Sequence, residues 1–200
     1  MRKFIVLGVL LACFGCMGFI FWQQELQYVL PTPIPANYSP ITTSQQVILP
    51  SSFSVGQAHY FHFFNPDCPC SRFNLKHFRS LTNQFSGRVI IYAVIPAYAD
   101  LKQAREMIDD KRVVILQDSE DRLANACGVY STPQAVVLDA SHKLFYRGNY
   151  NKTRYCTLKD SNYAEMALTA LVNGEKPPVF NILATQSYGC ELPSEQDLIF

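Results

Sequence analysis

The sequence has little net charge and nowhere concentrates it. Its 17 Lys and Arg stand against 16 Asp and Glu, and setting aside Arg2 and Lys3 leaves 15 against 16. No basic stripe is interleaved with aromatic residues, which excludes a nucleic-acid-binding face. Low-complexity tracts and internal repeats are also missing, so disordered arrays and solenoids drop out. What remains is a 200-residue chain, 48% apolar and rich in Phe and Tyr, a composition that suits one globular domain with appendages.

Charge is absent altogether from residues 4–22, FIVLGVLLACFGCMGFIFW. That length spans a bilayer as one helix. Arg2 and Lys3 precede it, which puts the N-terminus in the cytoplasm and exports the rest. A cleaved signal peptide has a shorter apolar core and a small-residue cleavage site. Leu10-Leu11-Ala12-Cys13 does resemble a lipoprotein processing box, but cleavage there would leave residues 14–22 as an exposed apolar stretch. An uncleaved anchor is therefore expected, with Cys13 and Cys16 inert on the helix. Residues 23–50 carry four prolines up to Pro40 and read as an extended spacer. The expected organisation is an anchor at 1–22, a linker at 23–50, a globular domain at 51–193 and a tail at 194–200. The chain is expected to cross the cytoplasmic membrane once, with its domain in the periplasm.

Within the domain, residues 59–64 (HYFHFF) predict a strand. Apolar Phe73, Leu75, Phe78, Leu81 and Phe85 recur at near-helical spacing over residues 69–85. Residues 88–95 predict a buried strand, 99–109 an exposed helix and 113–117 a short strand. Asp118 and Ser119 are placed to cap a helix running through Leu123 and Ala126. Residues 134–139 and 143–147 predict two strands about a Ser141-His142 turn. A last helix over 163–172 ends at Asn173-Gly174 as its C-cap. The order β-α-β-α-β-α-β-β-α predicts parallel strands covered by helices and a late antiparallel pair, a mixed α/β sandwich.

The segment FFNPDCPCSRFN, residues 63–74, sets two cysteines one residue apart where the first strand gives way to a helix. Proline is favoured at the first helical position, where its missing N–H would have been unpaired anyway. Pro69 is therefore N1 and Cys68 the N-cap. A sulfur there meets the free N–H groups of the first turn and the positive end of the helix dipole. Both favour thiolate, which makes Cys68 a nucleophile; Asp67 beside it works the other way. Cys70 falls at N2, and the Cβ vectors of residues two apart diverge. A Cys68–Cys70 disulfide would be strained and easily reduced. Either these two form an oxidising pair or Cys68 has another partner; ordinary stabilising disulfides are the bland reading for an exported chain.

This strand–turn–Cys–helix, followed by GVYSTPQAVVLD at residues 128–139, resembles the thioredoxin-like superfamily. A Gly-Val-x-x-Thr-Pro segment there leads into a strand ending in Asp. The resemblance implies that Pro133 is a cis-proline facing the redox cysteine, and X-Pro is the bond at which cis is cheap. Asp67-Cys68-Pro69, Tyr146-Arg147-Gly148 and Gly189-Cys190 resemble the AhpC/TSA-type redoxin branch of exported bacterial proteins, over about residues 57–193. Two departures bear on the chemistry. The sequence has no Trp-Cys-x-x-Cys, and Asn65 stands where a peroxiredoxin carries Thr three residues before its cysteine, which speaks against peroxidase activity.

Five cysteines follow the apolar segment: 68, 70, 127, 156 and 190, so at least one is free or paired between chains. Cys127 reads as a buried small hydrophobe. Cys190 is either the resolving partner of Cys68 or half of a Cys156–Cys190 staple. His59 and His62 fall on opposite strand faces, and His62 with Cys68 and Cys70 makes a candidate soft Cu(I) or Zn site. That site is similar in kind to the membrane-anchored Sco copper chaperones, which use Cys-x-x-x-Cys and a distant His; His142 is a looser candidate, and His77 reads as structural. The expected function is thiol–disulfide exchange with a cysteine-containing extracytoplasmic protein, in which Cys68 attacks, Cys70 or Cys190 resolves and Pro133 shapes the groove. Copper handling by Cys68, Cys70 and His62, and a binding module with only structural cysteines, are the alternatives.

Overall fold

The computed structural model describes residues 2–192; the expected tail at 194–200 lies outside the described residues. The chain opens with α1 (Arg2–Gln24), 23 residues with none buried. Among the described residues it is the one helix long and apolar enough to cross a membrane.

The domain begins at β1 (His59–Phe63), followed by α2 (Pro69–Phe85) and β2 (Ile90–Pro96). Then come α3 (Leu101–Ile108), β3 (Val113–Asp118) and α4 (Arg122–Cys127). The last part holds β4 (Ser131–Thr132), β5 (Gln134–Leu138), β6 (Leu144–Gly148), α5 (Tyr163–Val172), α6 (Ile182–Thr185) and β7 (Cys190–Glu191). Five strands form one sheet in the order β3-β2-β1-β5-β6. The β1–β2 and β2–β3 pairs are parallel, and β1–β5 and β5–β6 antiparallel. This is the mixed sheet with a late antiparallel pair that the element order predicts.

Two elements show why the local sequence folds as it does. Asp100 caps α3 by accepting hydrogen bonds from the backbone N–H groups of Lys102 and Gln103. Asp118 does the same for α4, its two carboxylate oxygens each 2.8 Å from an acceptor-seeking N–H, of Leu123 and Ala124. Such caps satisfy helix donors that have no partner within the helix.

β1 is buried on both faces, so alternation sends its side chains into two cores. Tyr60 packs with Phe78, Leu81 and Phe85 of α2, Ala104 and Ile108 of α3, and Ala164 and Leu168 of α5. Phe61 and Phe63 pack with Leu123, Ala124 and Cys127 of α4.

The second core is completed by a segment that the sequence places in a free spacer. Val47 is 1% exposed, and Ile41 and Leu49 lie against the same cluster. Ser44 N–H donates to Leu144 O at 2.7 Å and Val47 N–H to His142 O at 2.9 Å, so residues 44–47 run along the outer edge of β6. Tyr38 Oη donates to Gly128 O at 3.1 Å. The proline-rich stretch is extended, as expected, but part of it is bound to the domain instead of standing clear of it. An apolar edge needs cover, and this stretch supplies it.

Val47→Ala is therefore expected to lower unfolding stability by about 2 kcal/mol, the burial contribution of an aliphatic side chain, when denaturant unfolding of the two proteins is compared. A free spacer at this position would show no change.

Candidate functional site at the N-terminus of helix α2

The end of β1 leads into a turn held by its own side chains. Asp67 N–H donates to Asn65 Oδ1 at 3.0 Å, Asn65 N–H to Ser71 Oγ at 3.2 Å, and Cys68 N–H to Asn65 O at 3.0 Å. Cys68 is the N-cap of α2 in extended conformation (φ −79°, ψ 123°), with Pro69 opening the helix. The N-cap placement read from Cys-Pro is what the structure has, but the sulfur makes no capping hydrogen bond to the first-turn N–H groups; it is bonded to Cys190 instead.

Cys68 forms a disulfide with Cys190, with Cα atoms 6.1 Å apart and 122 residues between them in sequence. Of the two partners weighed for Cys190, the structure has Cys68 and not Cys156; nor do Cys68 and Cys70 bridge each other. The disulfide lies beside the Thr132–Pro133 peptide, which is cis, and Cys68 Sγ is 3.7 Å from Thr132 O.

The tail reaches this point by pairing with the strand before Pro133. β7 runs antiparallel to β4, with Thr132 opposite Cys190 and Ser131 opposite Glu191, and Leu192 N–H donates to Tyr130 O at 3.1 Å. Gly189 makes the approach possible: its φ is +121°, and a Cβ there would collide with the Thr132 carbonyl. Further back, Asn149 Nδ2 donates to Leu183 O and Gln186 O at 2.9 and 2.7 Å, and Thr32 N–H to Ser187 O at 2.9 Å. Two-residue strands carry no periodic signal, so nothing but Gly189-Cys190 itself marked this element in the sequence.

Cys70 remains a thiol, 1% exposed. Burial pushes it up to about 11, against the pull of the Arg154 guanidinium. The sulfur atoms of Cys68, Cys70 and Cys190 all lie within 4.8 Å of one another. Arg154 is itself enclosed, its side chain 4% exposed and 3.3 Å from Glu25. It stacks on Phe73 and Tyr155 at 5.0 and 4.9 Å, and Arg154 Nη1 donates to Gln24 O at 3.1 Å. The turn after α1 is thus fastened beside the sulfur group, a contact the sequence did not reveal.

The other candidates fall elsewhere. Cys156 accepts a hydrogen bond from Asn74 Nδ2 at 3.2 Å, and burial raises it to about 11. Cys127 is fully buried in the α4 core, and Cys13 and Cys16 are exposed on α1. His62 is not with the sulfurs. It is sandwiched between Phe64 and Phe78, at 5.1 and 4.1 Å, with Nδ1 2.7 Å from the Tyr150 hydroxyl. The even-numbered face of β1 turns it into the first core, so the copper site drawn from Cys68, Cys70 and His62 does not assemble. His59 and His142 instead meet each other, Nε2 to Nε2 at 3.2 Å, near Ser54 O. His77 packs edge-on against Tyr150 at 5.8 Å.

A central β1 feeding an N-cap cysteine, a cis-proline before the antiparallel strand, and helices on both sheet faces together define a thioredoxin-like fold. The chain belongs to a family described as a domain of unknown function, DUF6436, whose model matches residues 39–191. That match includes the stretch that covers β6. No curated protein matches the chain. Among solved structures, a hypothetical protein from Sinorhizobium meliloti 1021 is 19% identical with a TM-score of 0.63, over 77% of this chain and 95% of its own. An uncharacterised conserved protein from Geobacillus kaustophilus is 19% identical with a TM-score of 0.62, over 80% and 91%. The thioredoxin domain of a thiol-disulfide oxidoreductase from Bacteroides vulgatus is 14% identical with a TM-score of 0.46, over 60% and 98%.

Two predictions follow from these contacts. Gly189→Ala should reduce the fraction of protein carrying the Cys68–Cys190 disulfide, read by mass spectrometry of alkylated peptides, because the added Cβ pushes the tail off Thr132. Burial also lowers the His62 imidazole to about 3, whereas in the unfolded chain it titrates near 6.5. Between those values the unfolded state takes up a proton that the folded state refuses, so stability falls as pH drops through that window, by about 1.4 kcal/mol per pH unit. His62→Phe should flatten that slope relative to wild type in urea unfolding at pH 6.5, 5.5 and 4.5; an unchanged slope would assign the proton uptake to other groups.

Proposed function

We propose that the protein is a membrane-anchored, extracytoplasmic thiol–disulfide oxidoreductase whose redox-active pair is Cys68–Cys190. The observation that carries this reading is the disulfide formed by an N-cap cysteine. As a leaving group, Cys68 sulfur would depart as a thiolate at the positive end of α2, and better-stabilised thiolates leave faster.

Accessibility favours one order of events. Cys68 is 2% exposed and Cys190 is half-buried, which favours Cys190 as the sulfur a partner attacks. A partner thiolate attacks Cys190 Sγ, the Cys68–Cys190 bond breaks, and Cys68 leaves with the electron pair. The mixed disulfide between Cys190 and the partner is then attacked by a second partner thiolate, which releases Cys190 as thiolate. The partner dithiol ends as a disulfide, and the site ends as two thiols after taking up two protons. The reverse sequence reduces a partner disulfide. The partner is a cysteine-containing protein in the periplasm, and α1 fixes the enzyme to the cytoplasmic membrane. Thr132 and Pro133 are buried and Thr132 is paired with Cys190 of the chain's own tail, so a partner segment would reach Pro133 only by displacing that tail.

The full-length protein in detergent, titrated across glutathione potentials, should gain and lose the Cys68–Cys190 peptide at one defined potential while Cys156 stays alkylatable. A Cys68→Ser variant should accumulate mixed disulfides through Cys190 in an oxidising compartment, and Cys190→Ser far fewer. A disulfide that persists at every potential would sink the proposal in favour of a binding module with a structural staple.

A further inference from the structure

The oxidoreductase reading uses two of three clustered sulfurs and leaves Cys70 without a part. We propose that reduction of the Cys68–Cys190 disulfide uncovers a site for Cu(I) made of the Cys68, Cys70 and Cys190 thiolates.

The placement comes first. The three sulfurs come from the N-cap of α2, its first turn and β7, and all lie within 4.8 Å of one another. Thiolate–metal bonds are about 2.3 Å long, so three sulfurs around one ion stand about 4 Å apart. In the disulfide Cys68 and Cys190 are bonded sulfur to sulfur, and once that bond is broken their sulfurs move apart toward this spacing, with the Cys70 sulfur already within 4.8 Å of both. Its composition selects the ion. Thiolate donors alone favour soft cations, Cu(I) among them, and a set of three with no imidazole or carboxylate falls short of the four ligands of a structural zinc site. Cys68 and Cys70 are buried, so water competes poorly for those two positions.

Charge fits as well. Cu(I) with three thiolates carries a net charge of −2, and the enclosed Arg154 guanidinium acts favourably on ionised Cys70, with Glu25 acting against it. His62 does not contribute, being stacked between Phe64 and Phe78.

The disulfide and the ion exclude each other. Two electrons and two protons, delivered by a partner dithiol that becomes a disulfide, convert Cys68–Cys190 to two thiols. Cu(I) then displaces three protons from Cys68, Cys70 and Cys190. Oxidised protein keeps one thiol of the three and binds no copper there; loaded protein cannot form the disulfide.

The site is tested with full-length protein in detergent carrying Cys13→Ala and Cys16→Ala, which removes the sulfurs on α1. The protein is reduced anaerobically with dithiothreitol, desalted and titrated with Cu(I) against bicinchoninate. We expect one equivalent bound, a first shell of three sulfurs by X-ray absorption, and no binding by the oxidised form. Cys70→Ala still forms the disulfide but should bind at least about 100-fold more weakly, since loss of even outer-shell partners costs metal sites about 10- to 100-fold. His62→Phe should bind as the parent does. Equal affinity in Cys70→Ala, nitrogen or oxygen in the first shell, or binding by the oxidised form would each overturn the proposal. Because reduction here is chemical, failure to bind copper leaves the glutathione titration untouched, and failure of that titration leaves this site to stand or fall alone.

Discussion

Water reaches neither face of His59–Phe63, and that double burial places everything else. With its odd and even side chains committed to different cores, β1 has no freedom to slip by one residue, because a slip would exchange the two sets. Parallel β2 on one side and antiparallel β5 on the other fix its position in the sheet. The residues after it are thereby delivered to one point, where the Asn65–Asp67 turn and Pro69 start α2 with Cys68 at its cap. The same register carries Gln134 opposite Phe63, which sets Pro133 and Thr132 beside that cap.

Around this fixed point the chain assembles parts from far apart in sequence. The tail arrives as a two-residue strand on Thr132, and the turn after α1 arrives through Glu25 and Arg154. The buried sulfurs sit where these meet, with a cation on one side and a backbone carbonyl on the other. At Cys70 burial outweighs the arginine and favours the thiol, the guanidinium recovering only part of the cost of ionisation. Burial is the largest influence on Cys156 and Cys127 too, opposed by the Asn74 hydrogen bond at the first and by Arg147 at the second.

The sequence was most legible where a local rule had one outcome. Pro69 followed by apolar residues at helical spacing marked α2 from its first residue to its last, and Asn173-Gly174 marked the end of α5. Alternation told which face His62 occupies but not what stands on that face, and Phe78 and Tyr150 stand there instead of sulfur. Prolines told that residues 31–40 are extended but not what the stretch after them lies against, because one Val47 in a polar segment is too little pattern to announce burial. Cys190 stayed open between two partners for a related reason: its pairing depends on β4, and neither two-residue strand has a period to read.

The disulfide spans 122 residues, so in an unfolded chain it would tie almost the whole domain into a ring. Closing a ring of that size removes chain entropy worth about 5 kcal/mol, comparable with the entire stability of many domains. A thermodynamic cycle makes the effect mutual: whatever free energy the bond lends to folding, folding lends to the bond. Each opening of Cys68–Cys190 therefore moves the domain to a shallower folding well, and each closure deepens it again. The foldedness of the domain thus becomes one of the terms in the redox equilibrium of its own disulfide.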